Sequence, residues 1–471
     1  MALVVELFYA GGIAELSYLI GDDSEGVAAV IDPRPDCEAY LEKAQESGMA
    51  IKAIFETHIH ADFMSGAREL SHRLGGAPIY ASGIDAEEYG FDVNRLCEGD
   101  EFKIGELVLT ARHTPGHTPE HISYLATQEG AAGPFAVFSG DTLFVDSVGR
   151  PDLLGEDETQ KLAGKLFESI RGFYSDLNDG VIVYPGHGAG SSCGPDIGDR
   201  MITSIGYEKA SNTYMKIEDR DDFIKQVLDS APPEPRHYRP MKKVNAKGPK
   251  VFNGYPPVEP LEPAAFKKAL QGDGAKLLDT RDMLAFGSAH ISGAFNIAAR
   301  PELSVWSGWM LEFDEPLYLV LEDDSMLTTT LTHLWRTGHT NVKGYLAGGM
   351  GAWIMDGHEV DRIEQIDVHR LEKRLDEIQV LDVRSPEERE KGFIPTSQHC
   401  FVPNVEEQAE KLLDMEKPVA TYCASGFRAS IASSILKRKG FQHVLNVAGS
   451  FSAWTSAGKE IAKEEPAEVS S

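Results

Sequence analysis

Short apolar runs that stop at a polar side chain recur along the first 230 residues. Residues 52–56 run into His58, 107–110 towards His117, 136–138 into Asp141 and 181–184 into His187. Runs of this length bounded by turn residues predict buried strands, and the carboxyl ends of strands supply the ligand sites of α/β folds. Four strand ends presenting His or Asp therefore point to one shared site. In the second half the rhythm changes to short apolar strands alternating with helical runs, which predicts βα domains with parallel sheets.

Between these regions the pattern breaks. Nine of the 25 prolines fall between Pro232 and Pro263, together with Lys242, Lys243, Lys247 and Lys250. Proline fixes φ and removes a donor, so neither a regular helix nor a central strand is expected there, and the segment reads as a linker. Beyond it the sequence repeats. Leu278-Asp279-Thr280-Arg281 returns 103 residues on as Leu381-Asp382-Val383-Arg384, and Ala347-Gly348-Gly349-Met350-Gly351-Ala352-Trp353 returns 101 residues on as Ala448-Gly449-Ser450-Phe451-Ser452-Ala453-Trp454. Such a period marks a duplicated domain rather than a solenoid unit. The expected organisation is a first domain over 1–230, a proline-rich linker over 231–263, and two related α/β domains over 264–360 and 365–460.

A length of 471 residues, 42% hydrophobic and 25% charged, fits about three globular domains. The net charge of −29 argues against a binder of phosphate backbones or anionic lipids, so neither nucleic acid nor membrane is expected as a partner. No stretch reaches the ~18 apolar residues of a membrane span, and the N-terminus carries Glu6 and Glu15 without a basic region, unlike a signal peptide. Five cysteines without a CxxC pair make a poor disulfide framework and suggest a reducing, cytoplasmic location. Cys37, Cys97 and Cys400 lack partner motifs and read as structural.

The strand-end residues fall in four short motifs: Thr57-His58-Ile59-His60-Ala61-Asp62-Phe63, Thr114-Pro115-Gly116-His117-Thr118, Ser139-Gly140-Asp141-Thr142 and Pro185-Gly186-His187-Gly188. In this order they resemble the metallo-β-lactamase fold, specifically its glyoxalase II and persulfide dioxygenase branch. The resemblance covers about residues 1–230 and implies an αββα sandwich. The usual motif there is HxHxDH. Here its last position is Phe63, which cannot bind a second metal, and Asp62 with His187 alone make a poor second site. One metal is therefore favoured. Resemblance to persulfide dioxygenases implies one Fe(II) per chain on His58, His117 and Asp141. Two imidazoles and a carboxylate on one face leave positions open for O2 and a persulfide sulfur, which a closed four-ligand zinc site does not. His60 is then expected behind the ligands or as a weak extra one, and Asp62 as an orienter of a ligand imidazole. Arg150, in Gly149-Arg150-Pro151-Asp152, resembles the family's site arginine and is expected to hold a substrate carboxylate or phosphate.

The second constellation is Cys423-Ala424-Ser425-Gly426-Phe427-Arg428, between an apolar run at 418–422 and a helical run at 429–439. A thiol at such a turn faces the helix N-terminus and a ring of backbone N–H groups, both of which favour thiolate, and Arg428 adds a fixed positive charge. With the Leu381–Arg384 segment and the Trp454 ending, residues 365–460 resemble an active rhodanese domain. Phosphatases of related fold carry five residues between Cys and Arg; the four here fit sulfur transfer. The middle copy has Leu321-Glu322-Asp323-Asp324-Ser325-Met326 at the equivalent place, with neither thiol nor arginine. It resembles an inactive rhodanese-like domain whose expected work is packing and spacing. Cys193, in the glycine-rich loop after His187, is expected exposed at the mouth of the metal site, as a thiol that accepts sulfane sulfur during turnover.

The whole chain resembles persulfide dioxygenase–rhodanese fusions of sulfide detoxification. That resemblance implies oxidation of low-molecular-weight thiol persulfides to sulfite with Fe(II) and O2. It further implies exchange of sulfane sulfur among persulfide, thiosulfate, sulfite and thiols through Cys423, and a homo-oligomer. Two alternatives stand beside it: a glyoxalase II-like thioester hydrolase fused to a sulfurtransferase, and a non-enzymatic sulfur carrier. The sequence leaves glutathione, coenzyme A, bacillithiol and cysteine persulfides all open as substrates.

Overall fold

A computed structural model describes residues 3–84, 89–272 and 274–463. The chain forms two compact units, residues 1–256 with 332–339, and 257–331 with 340–471.

In the first unit two six-stranded sheets share a core. One sheet runs in chain order through Leu3–Ala10, Glu15–Asp22, Val27–Ile31, Ala50–Phe55, Ile79–Ser82 and Asn94–Leu96. The other has the order Thr203–Ser204, Ile182–Pro185, Ala136–Gly140, Ile122–Gln128, Leu107–His113 and Glu101–Ile104. Side chains alternate across a strand, so Leu16, Tyr18 and Ile20 meet Leu107, Leu109 and Ala111 between the sheets, around Phe55, Tyr124 and Phe138. Truncating one of these rings to alanine costs about 3–5 kcal/mol. The opposite residues of each strand bury under helices. Tyr40, Ala44 and Leu70, from helices Glu38–Glu46 and Ala67–Arg73, cover the first sheet. Leu166, Phe223 and Val227, from helices Glu156–Glu168 and Arg220–Asp229, cover the second. The result is the expected αββα sandwich.

The proline-rich segment departs from its reading as an irregular linker. It contains the helix Tyr238–Lys247, and residues 231–256 belong to the first unit. Pro240 is tolerated because it stands in the first turn, where backbone N–H groups have no intrahelical partner. Side chains tie this helix to the loop that carries the HxHxD motif. His237 Nε2 donates to the Asp62 carbonyl at 2.8 Å, Asn245 Nδ2 donates to the carbonyls of His60 and Phe63 at 2.8 Å each, and Asn245 Oδ1 accepts the Ser65 N–H.

The second unit holds two five-stranded parallel sheets of identical order, as duplication requires. The middle copy runs Pro260–Leu261, Val342–Leu346, Leu317–Val320, Lys276–Asp279, Phe295–Asn296, and the C-terminal copy Glu364–Ile366, Val444–Val447, Val419–Tyr422, Gln379–Asp382, Gln398–His399. The repeated residues repeat their contacts. Arg281 pairs with Asp279 at 2.7 Å and Arg384 with Asp382 at 2.6 Å. Trp353 Nε1 donates to the Glu359 carbonyl at 2.9 Å, and Trp454 Nε1 to the Glu460 carbonyl at 2.7 Å. Among the described residues no helix is long and apolar enough to cross a membrane.

Candidate functional site

Loops leaving four strands converge at one end of the sandwich. His58 follows Ala50–Phe55, His117 follows Leu107–His113, Asp141 directly follows Ala136–Gly140, and His187 follows Ile182–Pro185. The approach is too close for side chains on the supporting loops. A Cβ on Gly149 would stand 1.8 Å from the Asp141 carbonyl oxygen, and one on Gly186 would stand 2.4 Å from Asp141 Oδ1.

Hydrogen bonds fix which ring nitrogens are bare. His58 Nδ1–H donates to Thr57 Oγ1 at 2.9 Å, and the Thr57 hydroxyl donates to Asp32 at 2.8 Å. His117 Nδ1–H donates to the Arg150 carbonyl at 2.9 Å. The remaining atoms point together: Asp141 Oδ2 lies 3.9 Å from His58 Nε2 and 3.5 Å from His117 Nε2. His58 Nε2 and Asp141 Oδ2 are buried without a hydrogen-bond partner. Burial, with the neighbouring His60 and His117, holds the His58 imidazole far below its usual range, and burial outweighs Asp141 to lower His117 as well. Both are therefore neutral, the form that binds metals. Asp141 is ionised: burial opposes its charge, but His187 overrides it and keeps the carboxyl well below the carboxylate range. Two bare imidazole nitrogens and an orphaned carboxylate oxygen, all buried, fit a divalent metal.

The surrounding residues sort by contact. His60 Nε2 lies 3.1 Å from both Asp32 Oδ1 and Glu56 Oε2, and these carboxylates, despite burial, raise its imidazole well above the usual range, which places it behind the ligand atoms. Asp62 Oδ2 accepts from His187 Nε2 at 2.7 Å, and His187 Nδ1 donates to Asp141 Oδ1 at 2.8 Å. Asp62 thus orients His187, which holds the ligand carboxylate, rather than orienting a ligand imidazole directly. His121 was missed by the sequence reading. Its Nε2 accepts the Asp141 N–H at 3.0 Å and its Nδ1 lies 3.0 Å from the Thr114 and Thr142 hydroxyls. The sole signal for it is its place four residues after His117.

Two expected site residues are placed differently. Arg150 is 2% exposed, and its guanidinium binds both Asp152 oxygens, at 2.7 and 2.8 Å, and the carbonyls of Ser192 and Pro233. It is a tie between loops, not an open anion site. Cys193 does reach the metal region, for its Sγ and donors of Asp62 and His187 lie within 4.8 Å of one another. It is buried, however, not exposed, with Sγ 3.8 Å from the Tyr238 hydroxyl. Burial, then Asp62 and Asp141, push its thiol up, so the expected glycine-loop stabilisation of thiolate is not found. The cluster also revises the poor second site read from Asp62 and His187 alone, since Cys193 adds a third donor. Phe63 packs on His60 with ring centroids 4.3 Å apart.

The thiol centre is a single turn between strand Val419–Tyr422 and helix Phe427–Arg438. Gly426, at φ +116°, lets the backbone fold back so that its N–H donates to Cys423 Sγ at 3.1 Å. Cys423 N–H donates to Ser450 Oγ at 3.2 Å. Arg428 forms a bidentate pair with Glu388, at 2.5 and 2.7 Å, and lies 5.9 Å from the Trp306 ring centroid. Trp306 belongs to helix Glu302–Met310 of the middle copy, which thus packs against the thiol centre. In that copy the position of Cys423 is taken by Leu321, fully buried, and Asp323 and Asp324 accept the N–H groups of Ser325 and Gly348.

Residues 10–187 match the family described as "Metallo-beta-lactamase superfamily", and residues 262–356 and 367–457 each match "Rhodanese-like domain". "Hydroxyacylglutathione hydrolase GloC" of Haemophilus influenzae is 30% identical over 217 residues, covering 42% of this chain and 91% of that protein. "Persulfide dioxygenase ETHE1, mitochondrial" of Mus musculus is 26% identical over 223 residues, covering 47% of this chain and 78% of that protein. Among solved structures, a metallo-beta-lactamase from Staphylococcus aureus subsp. aureus COL is 33% identical with a TM-score of 0.66, over 74% of this chain and 100% of that one.

Proposed function

Because this chain belongs to the metallo-β-lactamase superfamily and carries two rhodanese-like domains after that region, we propose that it is a persulfide dioxygenase joined to a sulfurtransferase. Low-molecular-weight thiol persulfides are oxidised in the first unit by O2, with one water supplying the third oxygen, to thiol and sulfite with release of two protons, and Cys423 exchanges sulfane sulfur with thiosulfate, sulfite and thiols, in sulfide detoxification. The observation that carries this reading is the convergence of His58 Nε2, His117 Nε2 and Asp141 Oδ2, with Phe63 in place of the last histidine of the HxHxDH motif. His58, His117 and Asp141 would hold Fe(II), which would supply the redox chemistry that activates O2 towards the persulfide. The protein's own part is to orient the ligand atoms and to line the site. Thr57 and the Arg150 carbonyl fix the two ligand tautomers, His187 and His121 hold Asp141, and Ala61, Phe144 and Leu153 form an apolar wall with Cys193 and Tyr238.

In the second unit the Cys423 thiolate attacks the outer sulfur of thiosulfate. The S–S bond breaks, sulfite leaves, and Cys423 carries the persulfide. Reversal, with sulfite from the first unit, yields thiosulfate. The Gly426 N–H stabilises charge on Sγ, and Arg428, held by Glu388, adds positive charge beside the thiol.

A second reading, the thioester hydrolase of the glyoxalase II kind, is favoured by the Asp62, His187 and Cys193 donor group and by the hydroxyacylglutathione hydrolase relative. It requires two metals and no oxygen. Metal analysis of the purified protein, followed by oxygen uptake with a panel of persulfides, separates the two. One iron per chain and persulfide-dependent uptake are expected. Two zinc ions per chain with oxygen-independent thioester cleavage overturn the dioxygenase reading.

A further inference from the structure

The helix Tyr238–Lys247 carries a cation that the reaction as described does not use. Lys242 is 6% exposed, and its Nζ makes no hydrogen bond among the described residues. Its ion-pair partner, Glu120, is long at 3.9 Å, and the Glu120 oxygen concerned already accepts the Ile59 N–H at 3.0 Å. An ammonium group taken out of water without a hydrogen-bond shell is costly. Such a group is stable where a ligand completes the shell.

Lys242 lines a cavity of about 180 Å³. Ala61, Leu153 and Leu154 give it an apolar wall, Lys243 and Arg239, the latter paired with Glu234, stand beside Lys242, and among the described residues no acidic one lines it. Ala61 sits between His60 and Asp62 in the metal-site loop, and Leu153 and Tyr238 pack with Cys193. The volume is well below the ~300–1,000 Å³ of pockets that enclose drug-sized ligands, so it admits a short arm and leaves the bulk of a carrier outside.

We propose that this cavity is the substrate entrance to the metal centre and that Lys242 anchors a carboxylate of the thiol carrier. The inference rests on the dioxygenase reading and names its substrate class. The substrates are low-molecular-weight persulfides with a carboxylate a short methylene arm from sulfur. The methylenes lie against Ala61 and Leu153, the carboxylate completes the ammonium's shell, and the sulfane sulfur faces the ligand atoms. Lys242 touches the carrier and not the reacting atoms, so it sets specificity.

The test uses the full-length, metal-loaded protein and two unreactive probes, the thioether 3-(methylthio)propionate, in which a methyl group replaces the outer SH of the persulfide, and its amide isostere. Calorimetric titration is expected to give at least about tenfold tighter binding of the carboxylate. In Lys242→Met that preference falls to within about twofold, while Lys242→Arg retains most of it. Oxygen uptake with the two corresponding persulfides is expected to show the same discrimination in KM. A preference unchanged in Lys242→Met, or equal loss of both probes, overturns the proposal, the latter marking Lys242 as a structural partner of Glu120. Should Lys242→Met fold poorly, the double variant Lys242→Met/Glu120→Gln removes the charge from both partners and is read the same way. Retained discrimination in binding with no oxygen uptake from either persulfide sinks the dioxygenase reading and leaves the anchor standing.

Discussion

The two centres of this chain are assembled in opposite ways. Cys423, Gly426 and Arg428 belong to one turn, and the turn needs only a strand before it, a helix after it and a glycine at φ +116°. The metal-site atoms come from His58, His117 and Asp141 on separate loops, and each is aimed by a residue from another loop: Thr57 by way of Asp32, the Arg150 carbonyl, His187 and His121. The local centre concentrates its chemistry on one atom. The dispersed centre spreads its precision over a buried hydrogen-bond network, so many residues that never touch a ligand can damage it.

The sharpest test of that contrast is Cys423→Ser. A hydroxyl oxygen cannot carry a persulfide, and sulfur transfer from thiosulfate is expected to fall by about 10³-fold or more. Metal content is expected to stay at the wild-type level, because the ligand atoms lie in the other unit. Leu321→Cys, at the equivalent place in the middle copy, is expected to restore nothing in that background, since no arginine follows it. Thiosulfate conversion at the original rate in Cys423→Ser would remove the thiol centre altogether.

In the metal centre the corresponding test is a residue that is not a ligand. Thr57→Val keeps the shape and deletes the hydroxyl between His58 Nδ1 and Asp32. A cost of about 10–100-fold in metal affinity is expected, measured by competition with a chelator. Asp141→Ala should empty the site in the same assay. If Thr57→Val binds metal as the wild type does, the network is ornamental and the two centres do not differ in the way described.

The same contrast decides what could be read from the sequence. The thiol turn was legible because its parts are neighbours in the chain, and the two copies because Asp-x-Arg and the terminal Trp recur. The αββα architecture was legible only through the family resemblance that the four strand-end motifs carry. The helix Tyr238–Lys247 was not. Proline density argued against a helix, but Pro240 falls in the one turn that tolerates it, and the contacts of Asn245 with the His60 and Phe63 carbonyls are long-range. Burial of Cys193 was hidden for the same reason, since it depends on Tyr238, and so were the carbonyl partners of Arg150, at Ser192 and Pro233; its bidentate partner Asp152, two residues on, stood in the motif itself. Glycine-rich loops suggest exposure; here the loop is folded under Tyr238.

A smaller effect is expected at the edge of the thiol centre. Glu388 holds Arg428 by two hydrogen bonds while also accepting the Ser385 N–H at 3.0 Å. Glu388→Gln keeps the shape and removes the charge, and a loss of about 3–10-fold in sulfur transfer is expected as Arg428 loses its fixed orientation. Glu388→Asp, too short to reach in the same way, should not rescue it. A rate unchanged in both variants would show that Arg428 is held by its other neighbours, Trp306 included.

The smallest expected effect concerns stability rather than activity, and it separates the units by sign. Glu15 of the first unit is buried, with Oε1 unpartnered and Oε2 3.5 Å from Arg34. Burial pushes its carboxyl up to about 7, in spite of Arg34 and Ser17. Between the ordinary value of 4.5 and about 7 the folded chain keeps a proton that the unfolded chain has lost. The folded state binds more protons there, so Glu15 costs stability as pH rises through that window, and the cost is constant above it. Glu388 of the second unit behaves oppositely. Burial opposes its charge, but Arg428 outweighs burial and lowers its carboxyl. Its contribution is fully present above 4.5 and is lost as pH falls through the lowered value. Glu15→Gln removes the first slope. Relative to wild type it should gain on the order of 1 kcal/mol, or about 2–4 °C in melting temperature, between pH 4 and pH 8. Thermal unfolding of the first unit's transition at both pH values measures this. Equal shifts for the two proteins would mean that Glu15 is ionised in the fold throughout, with Arg34 a stronger partner than its 3.5 Å separation implies.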